Sequence, residues 1–173
     1  MIVSDTDEIV DLLDNAGLVI GPISRNQLMA SDSRNFRLVS AIIRRTNGDF
    51  ILFRRSYTKK AFPGCFASVG GCVQSGKTYN QAMARELYEE VGLYLYEYTW
   101  RLLGYTRSNT DDTIGHVAVY ELYCDMDIAY NNDDFCEYRV FSLAQVLQLC
   151  AQNKEVTHNI PIYFAKFYAH TRP

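Results

Sequence analysis

The chain has 173 residues, 48% of them hydrophobic and 13% aromatic, which suits one globular domain with a substantial core. Its 17 basic and 20 acidic residues give a net charge of −3, which argues against a nucleic acid polymer as partner. No apolar run approaches the roughly 20 residues that cross a bilayer, we expect no leader sequence, and the five cysteines contain no CxxC pair. We therefore predict a soluble cytoplasmic protein with reduced thiols, no membrane partner and no zinc site.

Strand patterns dominate the first half of the chain. The predicted elements are, in order, two short strands within 8–21 around a turn at 15–17, a short helix from Ser24, strands at 36–45 and 49–55, and a short strand at 68–73 interrupted by glycines. The dipeptide Asn47-Gly48 separates the two longer strands, and Asn-Gly is a strong hairpin signal because both residues tolerate positive φ.

Helix patterns become more frequent in the second half. Residues 78–91 predict a helix that Thr78 caps at its start and Gly92 ends. The remaining predicted elements are strands at 100–107 and 115–124 and helices near 142–152 and 159–170. This order predicts one α/β domain over 1–173, in which helices cover both faces of a mixed sheet and residues 1–34 form an N-terminal extension packed on it.

The helix over 78–91 carries three glutamates, Glu86, Glu89 and Glu90, on the side opposite its apolar residues. Like charges at this spacing repel each other, and no lysine follows at the positions that would relieve them. A solvated acidic face is one interpretation. The alternative is a site for Mg²⁺ or Mn²⁺, which select clustered carboxylate oxygens and bridge them to phosphates. The glycine-rich turn before the helix favours the metal site, because it brings bare backbone close to a ligand.

Residues 70–93, GGCVQSGKTYNQAMARELYEEVGL, resemble the Nudix box, G-x5-E-x7-R-E-U-x-E-E-x-G-U with U aliphatic. The matching positions are Gly71, Arg85, Glu86, Leu87, Glu89, Glu90, Gly92 and Leu93. The resemblance implies a Nudix-type α/β/α sandwich and hydrolysis of a diphosphate joined to another group. It also implies that Glu86, Glu89 and Glu90 bind the metal with the Gly70 carbonyl, and that Arg85 orients the glutamates.

Lys77 stands where the box has its first glutamate. In the family that glutamate mainly braces the loop and the helix, often against the arginine. A lysine near Arg85 replaces attraction by repulsion at the positive end of the helix dipole. We therefore expect a loop that is less firmly held and an altered activity. The alternative is that Lys77 binds a substrate phosphate.

Residues 54–71, RRSYTKKAFPGCFASVGG, resemble the isopentenyl diphosphate isomerase-like branch of the family. The resemblance implies that Arg55 and Lys59 bind the substrate diphosphate, for which an arginine fork and a flexible ammonium are suited. Isomerase activity itself is not expected. The isomerases carry a catalytic cysteine where this chain has Gly70 and a histidine where it has Cys72, and the first histidine of the chain is His116.

Residues 131–147 resemble the segment in which Nudix proteins place an additional acid. Glu137 matches that acid, and Asp134 lies three residues before it. Such an acid can complete a second metal site or take a proton from the attacking water. A turn-and-cap cluster that leads into a helix at Ser142 is the alternative.

We therefore predict a metal-dependent hydrolase, using Mg²⁺ or Mn²⁺, that cleaves a diphosphate linkage in a small molecule. Glu90 or Glu137 is the expected base. The alternatives are a weakened or non-catalytic Nudix domain that binds a nucleotide or prenyl diphosphate and, third, an isomerase. The chain has 13 tyrosines, which leave a homodimer open.

Overall fold

The structure of the protein is a computed structural model, and it describes residues 8–31, 34–110, 113–152 and 155–169. Strands and helices are both spread along this part of the chain. The elements are β1 (Ile9–Leu13), β2 (Val19–Ser24), α1 (Arg25–Ala30), β3 (Arg34–Arg44), β4 (Phe50–Arg55), β5 (Phe66–Ala67), α2 (Tyr79–Val91), a 3-10 turn (Leu95–Glu97), β6 (Trp100–Thr110), β7 (Thr113–Tyr123), β8 (Phe135–Phe141), α3 (Leu143–Gln152) and α4 (Asn159–Phe167). Within these ranges, no helix is long and apolar enough to span a bilayer.

The main sheet has six strands in the order β5-β4-β3-β7-β6, with β8 paired to β4 as well. Strands β3 and β7 are parallel along their full lengths, whereas β6 pairs antiparallel with β7. Strand β4 is antiparallel to β3, β5 and β8. The hairpin predicted around Asn47-Gly48 is confirmed: Gly48 has a φ of 100° and joins β3 to β4.

Helices cover both faces of this sheet. On one face, α2 packs Met83 and Leu87 against strand residues such as Phe53. On the other face, α3 and α4 pack Val146 and Phe164 against the alternate residues of the same strands. The predicted α/β/α sandwich with a mixed sheet is therefore confirmed.

The chain before β3 forms a smaller layer. Strands β1 and β2 pair antiparallel around a turn in which the Asp14 carboxylate accepts hydrogen bonds from the N–H groups of Ala16 and Leu18. Ser24 then caps α1. A third apolar cluster, consisting of Val10, Leu28, Phe36 and Cys72, joins this layer to β3 and to the loop before α2.

Two predicted elements differ in the structure. The segment 68–73 makes only isolated bridges with β3, and the regular strand before it is limited to Phe66–Ala67. Strand β8 occupies residues 135–141, for which the sequence suggested either an additional acid of the site or a turn and cap before a helix at Ser142, and neither interpretation included a strand. Its alternating charged and aromatic side chains leave it mostly half-exposed, so it lacks the apolar run by which strands are recognised. Residue 170, the predicted end of the last helix, lies outside the described residues.

Candidate metal and diphosphate site

Helix α2 is fixed at both ends by the residues predicted to do so. The Thr78 side chain accepts a hydrogen bond from the Gln81 N–H, and the Gln81 side chain accepts one from the Thr78 N–H. This reciprocal capping box satisfies two N–H groups that the helix itself cannot pair. Gly92 ends the helix in the left-handed conformation, at a φ of 66°. The glutamates between these caps therefore have a defined position.

Glu86 is buried against the backbone of the preceding loop, with 7% of its surface exposed. A Cβ atom on Gly71 would lie 2.3 Å from Oε1 of Glu86, so the carboxylate occupies space that only a glycine leaves free. Burial raises the pKa of Glu86 to about 7, although the neighbouring Arg85 guanidinium acts to lower it. Glu86 is therefore a carboxylate with too little positive charge around it.

Glu90 lies one turn further along α2 and touches the same loop. Its Oε2 accepts a hydrogen bond from the Gly70 N–H at 2.9 Å. Gly70 has a φ of 154°, and a Cβ there would lie 2.1 Å from the Val39 carbonyl oxygen, so no side chain fits. Burial and then the charge of Glu86 raise the pKa of Glu90 well above its usual value, against the effect of the Gly70 N–H.

Arg85 connects the loop to the helix carboxylates. Its Nη2 donates to Oε1 of Glu86 at 2.6 Å, to the Cys72 carbonyl at 2.8 Å and to Oε1 of Glu8 at 3.1 Å. Its Nη1 donates to Oε2 of Glu89 at 2.9 Å. The carboxylate of Glu89 is more than half exposed and shares the Arg85 guanidinium with Glu86.

The donor atoms around Gly70 suit a hard divalent cation. No described residue donates a hydrogen bond to the Gly70 carbonyl oxygen, which leaves it available beside Glu86 and Glu90. No group of three or more acidic, histidine or cysteine side chains in the described part of the chain is arranged to hold a metal ion in the metal-free protein. Two carboxylates and a carbonyl still fit Mg²⁺ or Mn²⁺, because such ions commonly take their other ligands from water and substrate phosphates.

The two predicted diphosphate contacts, Lys59 and Arg55, each have a partner in the described part of the chain. Lys59 forms an ion pair with Asp134, with 2.5 Å between Nζ and Oδ1, and Nε of Arg55 donates to the Ala61 carbonyl at 3.0 Å. The charge of Asp134 acts to raise the pKa of Glu90 and that of Arg55 to lower it, so both groups are its neighbours. The charge of Arg55 therefore reaches Glu90, and Lys59 is placed by its ion pair with Asp134.

Glu137 does not join this cluster. It pairs across the strands with Arg54, and Arg54 stacks over Phe66 on the face covered by α3 and α4. Hydrogen bonds from Arg54 and then Arg139 hold the pKa of Glu137 below its usual value. Since successive strand residues face opposite sides, Glu137 lies across the sheet from α2. Asp134, three residues earlier, is the acid near Glu90.

Glu8 and Asp11 are contacts of the site that the sequence did not reveal. Glu8 binds Arg85 across 77 positions of the chain, and Asp11 accepts a hydrogen bond from the Ser75 hydroxyl across 64 positions. Neither residue belongs to a local motif. Their role depends on how β1 folds back onto the loop, which no spacing in the sequence encodes.

The NUDIX domain model matches residues 34–160. The chain belongs to the Nudix family. It is 37% identical, over 75% of its length and 78% of the relative, to a Nudix hydrolase from Nostoc sp.. The crystal structure of DR0079 from Deinococcus radiodurans superposes with a TM-score of 0.84 at 30% identity, covering 93% of this chain and 99% of that chain.

Similarity to the isomerase branch of the Nudix family is more local. The chain is 31% identical to an isopentenyl-diphosphate Delta-isomerase from Corynebacterium diphtheriae over 87 residues, which is 50% of this chain and 48% of that protein. The structure leaves no room for a cysteine at Gly70. The thiol of Cys72 is buried in the apolar cluster that joins the N-terminal layer to β3, and burial raises its pKa to about 12.

Lys77, the departure from the Nudix box, is exposed. It lines a shallow cleft together with Gln74, Gln81 and Arg85. Among the described residues, its side chain has no hydrogen bond or ion pair. The position that usually carries a carboxylate therefore contributes nothing to holding Arg85.

Proposed function

We propose that this Nudix protein hydrolyses a diphosphate linkage in a small molecule with the help of Mg²⁺ or Mn²⁺. One observation carries the proposal: the buried Glu86 and the half-buried Glu90 lie one turn apart against the bare backbone of Gly70 and Gly71. Burial raises the pKa of both carboxylates, helped by the charges of Glu8 and Glu89 at Glu86 and by the charge of Glu86 at Glu90. A protein retains such an arrangement at a cost in stability when a cation completes it.

Glu86, Glu90 and the Gly70 carbonyl would hold the metal, with Glu89 as the exposed carboxylate of the set. The bound ion supplies a water of lowered pKa and neutralises phosphate charge. Arg85 orients Glu86 and Glu89 through its hydrogen bonds. The metal therefore meets carboxylates whose positions are set before it arrives.

Arg55 and Lys59 would bind the diphosphate. The charges of Arg55 and Asp134 act on Glu90, and Asp134 keeps the flexible Lys59 ammonium in place. Glu90 is the carboxylate that we assign to accept the proton of the attacking water, since the other candidate, Glu137, faces the opposite side of the sheet. The hydrogen bond from the Gly70 N–H fixes the Glu90 carboxylate in position, and geometry is the first requirement of a general base.

The test is a panel of nucleoside diphosphates, nucleotide sugars and prenyl diphosphates incubated with the protein and Mg²⁺ or Mn²⁺. We expect at least one substrate to release phosphate or a monophosphate, with loss of release in EDTA and in Glu86→Gln. Glu97→Gln, at an exposed carboxylate of the 3-10 turn, is the control. Tight binding of a diphosphate without any release would contradict hydrolysis and support a binding module.

A further inference from the structure

Arg85, which orients the proposed metal ligands, forms an ion pair with Glu8, a residue outside the Nudix box. Oε1 of Glu8 lies 3.1 Å from its Nη2, and the Glu8 side chain is only 14% exposed. Glu8 is itself held in place, because its carbonyl accepts a hydrogen bond from the Arg25 N–H at 2.8 Å and its Oε2 lies 3.6 Å from Arg25. A partly buried pair of this kind keeps more of its strength than a solvated one.

Asp11, three residues later, holds the loop itself. Its Oδ1 accepts a hydrogen bond from the Ser75 hydroxyl at 2.6 Å. Its Oδ2 accepts one from Nη2 of Arg37 at 2.5 Å and a weaker one from the Gly76 N–H at 3.5 Å. Burial acts to raise the pKa of Asp11, but the hydrogen bonds from Ser75, Gly76 and Arg37 together lower it. Strand β1 adds a backbone bond, from the Ser75 N–H to the Ile9 carbonyl at 2.8 Å.

We infer that Glu8 and Asp11 are positioning residues that replace the missing carboxylate of the Nudix box. Lys77 brings a cation to the cleft that Arg85 also lines. Glu8 supplies Arg85 with the negative charge that position 77 lacks, and Asp11 ties the loop to β1. The function of the loop brace is thus divided between two residues of the N-terminal layer.

The effect on metal binding runs through Arg85. With Glu8 in place, the guanidinium stays between the loop carbonyl of Cys72 and the carboxylate of Glu86. Without Glu8, Arg85 and Lys77 share the cleft with one carboxylate fewer, and the N-terminal layer loses a contact with the helix. This consequence rests on the proposed metal site, whereas the brace itself is a property of the metal-free protein.

The brace is tested by backbone hydrogen exchange at Ser75, Gly76 and Lys77 in the metal-free protein. We expect Glu8→Gln to accelerate exchange by about tenfold relative to Glu97→Gln, since local opening becomes easier. Lys77→Glu should change exchange little alone, yet restore slow exchange in the Glu8→Gln background. Lys77→Ala should fail to restore it, because it removes repulsion without adding a carboxylate.

Ser75→Ala isolates the contribution of Asp11 without removing a buried charge. It deletes the hydroxyl that donates to Asp11, so we expect faster exchange at Gly76 and Lys77. Unchanged exchange in both Glu8→Gln and Ser75→Ala, or equal rescue by Lys77→Ala and Lys77→Glu, would overturn the inference.

Metal affinity provides a separate measurement. Titration of Mn²⁺ followed by electron paramagnetic resonance should show binding weakened about tenfold in Glu8→Gln, the lower end of the range for loss of an outer orienting contact. Binding should recover in Glu8→Gln/Lys77→Glu. Wild-type affinity in Glu8→Gln would contradict the link through Arg85. Absence of Mn²⁺ binding in the unaltered protein would refute the proposed function, while hydrogen exchange would still decide on the brace.

Discussion

The N–H of Gly70 donates to Oε2 of Glu90 at 2.9 Å, which joins the start of the Nudix loop to the last acid of the Nudix helix. The contact needs a residue without a side chain at position 70, because a Cβ would collide with the Val39 carbonyl. The loop backbone and the helix carboxylates are therefore one unit, and changes at either end of the motif should act on the same site.

Glu90→Gln should lower kcat by about 10²–10⁴-fold, the range expected for loss of a general base. The same change should raise the Tm of the metal-free protein near pH 8, because it removes a buried charge while the Gly70 N–H keeps an acceptor. Activity assays and calorimetry without metal measure the two effects, with Glu97→Gln as the control. Parallel losses of activity and stability would point to misfolding instead.

Stabilisation by Mg²⁺ should grow with pH. The pKa of Glu86 is about 7 in the folded protein against an ordinary value of 4.5, so between these values the folded state binds more protons than the unfolded chain. The contribution of Glu86 to the free energy of unfolding of the metal-free protein therefore falls as pH rises from 4.5 to about 7. Bound Mg²⁺ offsets this fall. We expect a larger Mg²⁺-induced rise in Tm at about pH 8 than at about pH 5.5, and a pH-independent rise would contradict it.

Gly70→Ala and Gly71→Ala should fail in different ways. At Gly70 the added methyl meets backbone of β3, so we expect a loss of about 2–4 kcal/mol in the free energy of unfolding. At Gly71 it meets only the carboxylate of Glu86, which can rotate away, so the fold should persist while the Mg²⁺ requirement rises about tenfold. Urea unfolding and Mg²⁺ titration of activity distinguish the two, and identical behaviour would refute the assigned contacts.

Asp134→Asn and Glu137→Gln test which acid belongs to the site. Asp134 pairs with Lys59 beside Glu90, so its loss should reduce kcat/KM about tenfold, mainly through KM. Glu137 pairs with Arg54 and Arg139 on the face of the sheet opposite α2. Glu137→Gln should therefore cost about 1 kcal/mol of stability at most and leave kcat/KM nearly unchanged. A large loss of turnover in Glu137→Gln would restore the original prediction for that residue.

The protein should not isomerise isopentenyl diphosphate. Gly70 leaves no space for a thiol, and burial raises the pKa of Cys72 to about 12, which keeps that sulfur protonated and unreactive. Incubation with isopentenyl diphosphate and Mg²⁺, followed by chromatography of the products, should yield no dimethylallyl isomer above a protein-free blank. Metal-dependent isomer formation would require a different catalytic acid.

The sequence predicted those features whose stabilising contacts lie within a few residues of each other. The caps of α2, Thr78 and Gly92, and the hairpin at Asn47-Gly48 follow from residues within a few positions of each other. Glu137 shows the limit of local signals: the motif placed an acid there, but strand pleating turned it to the far face once β8 paired with β4. The segment 68–73 stayed irregular because the backbone of Gly70 lies where a regular strand residue would clash.

The layer before β3 also changes where the functional unit of this protein begins. The family match starts at residue 34, yet Glu8 and Asp11 contact the motif from the other side of that boundary. A chain shortened to the matched region would keep every residue of the Nudix box and expose the apolar side chains of Phe36 and Cys72 that the layer covers. Domain boundaries drawn from family similarity alone therefore leave out two residues that contact the motif.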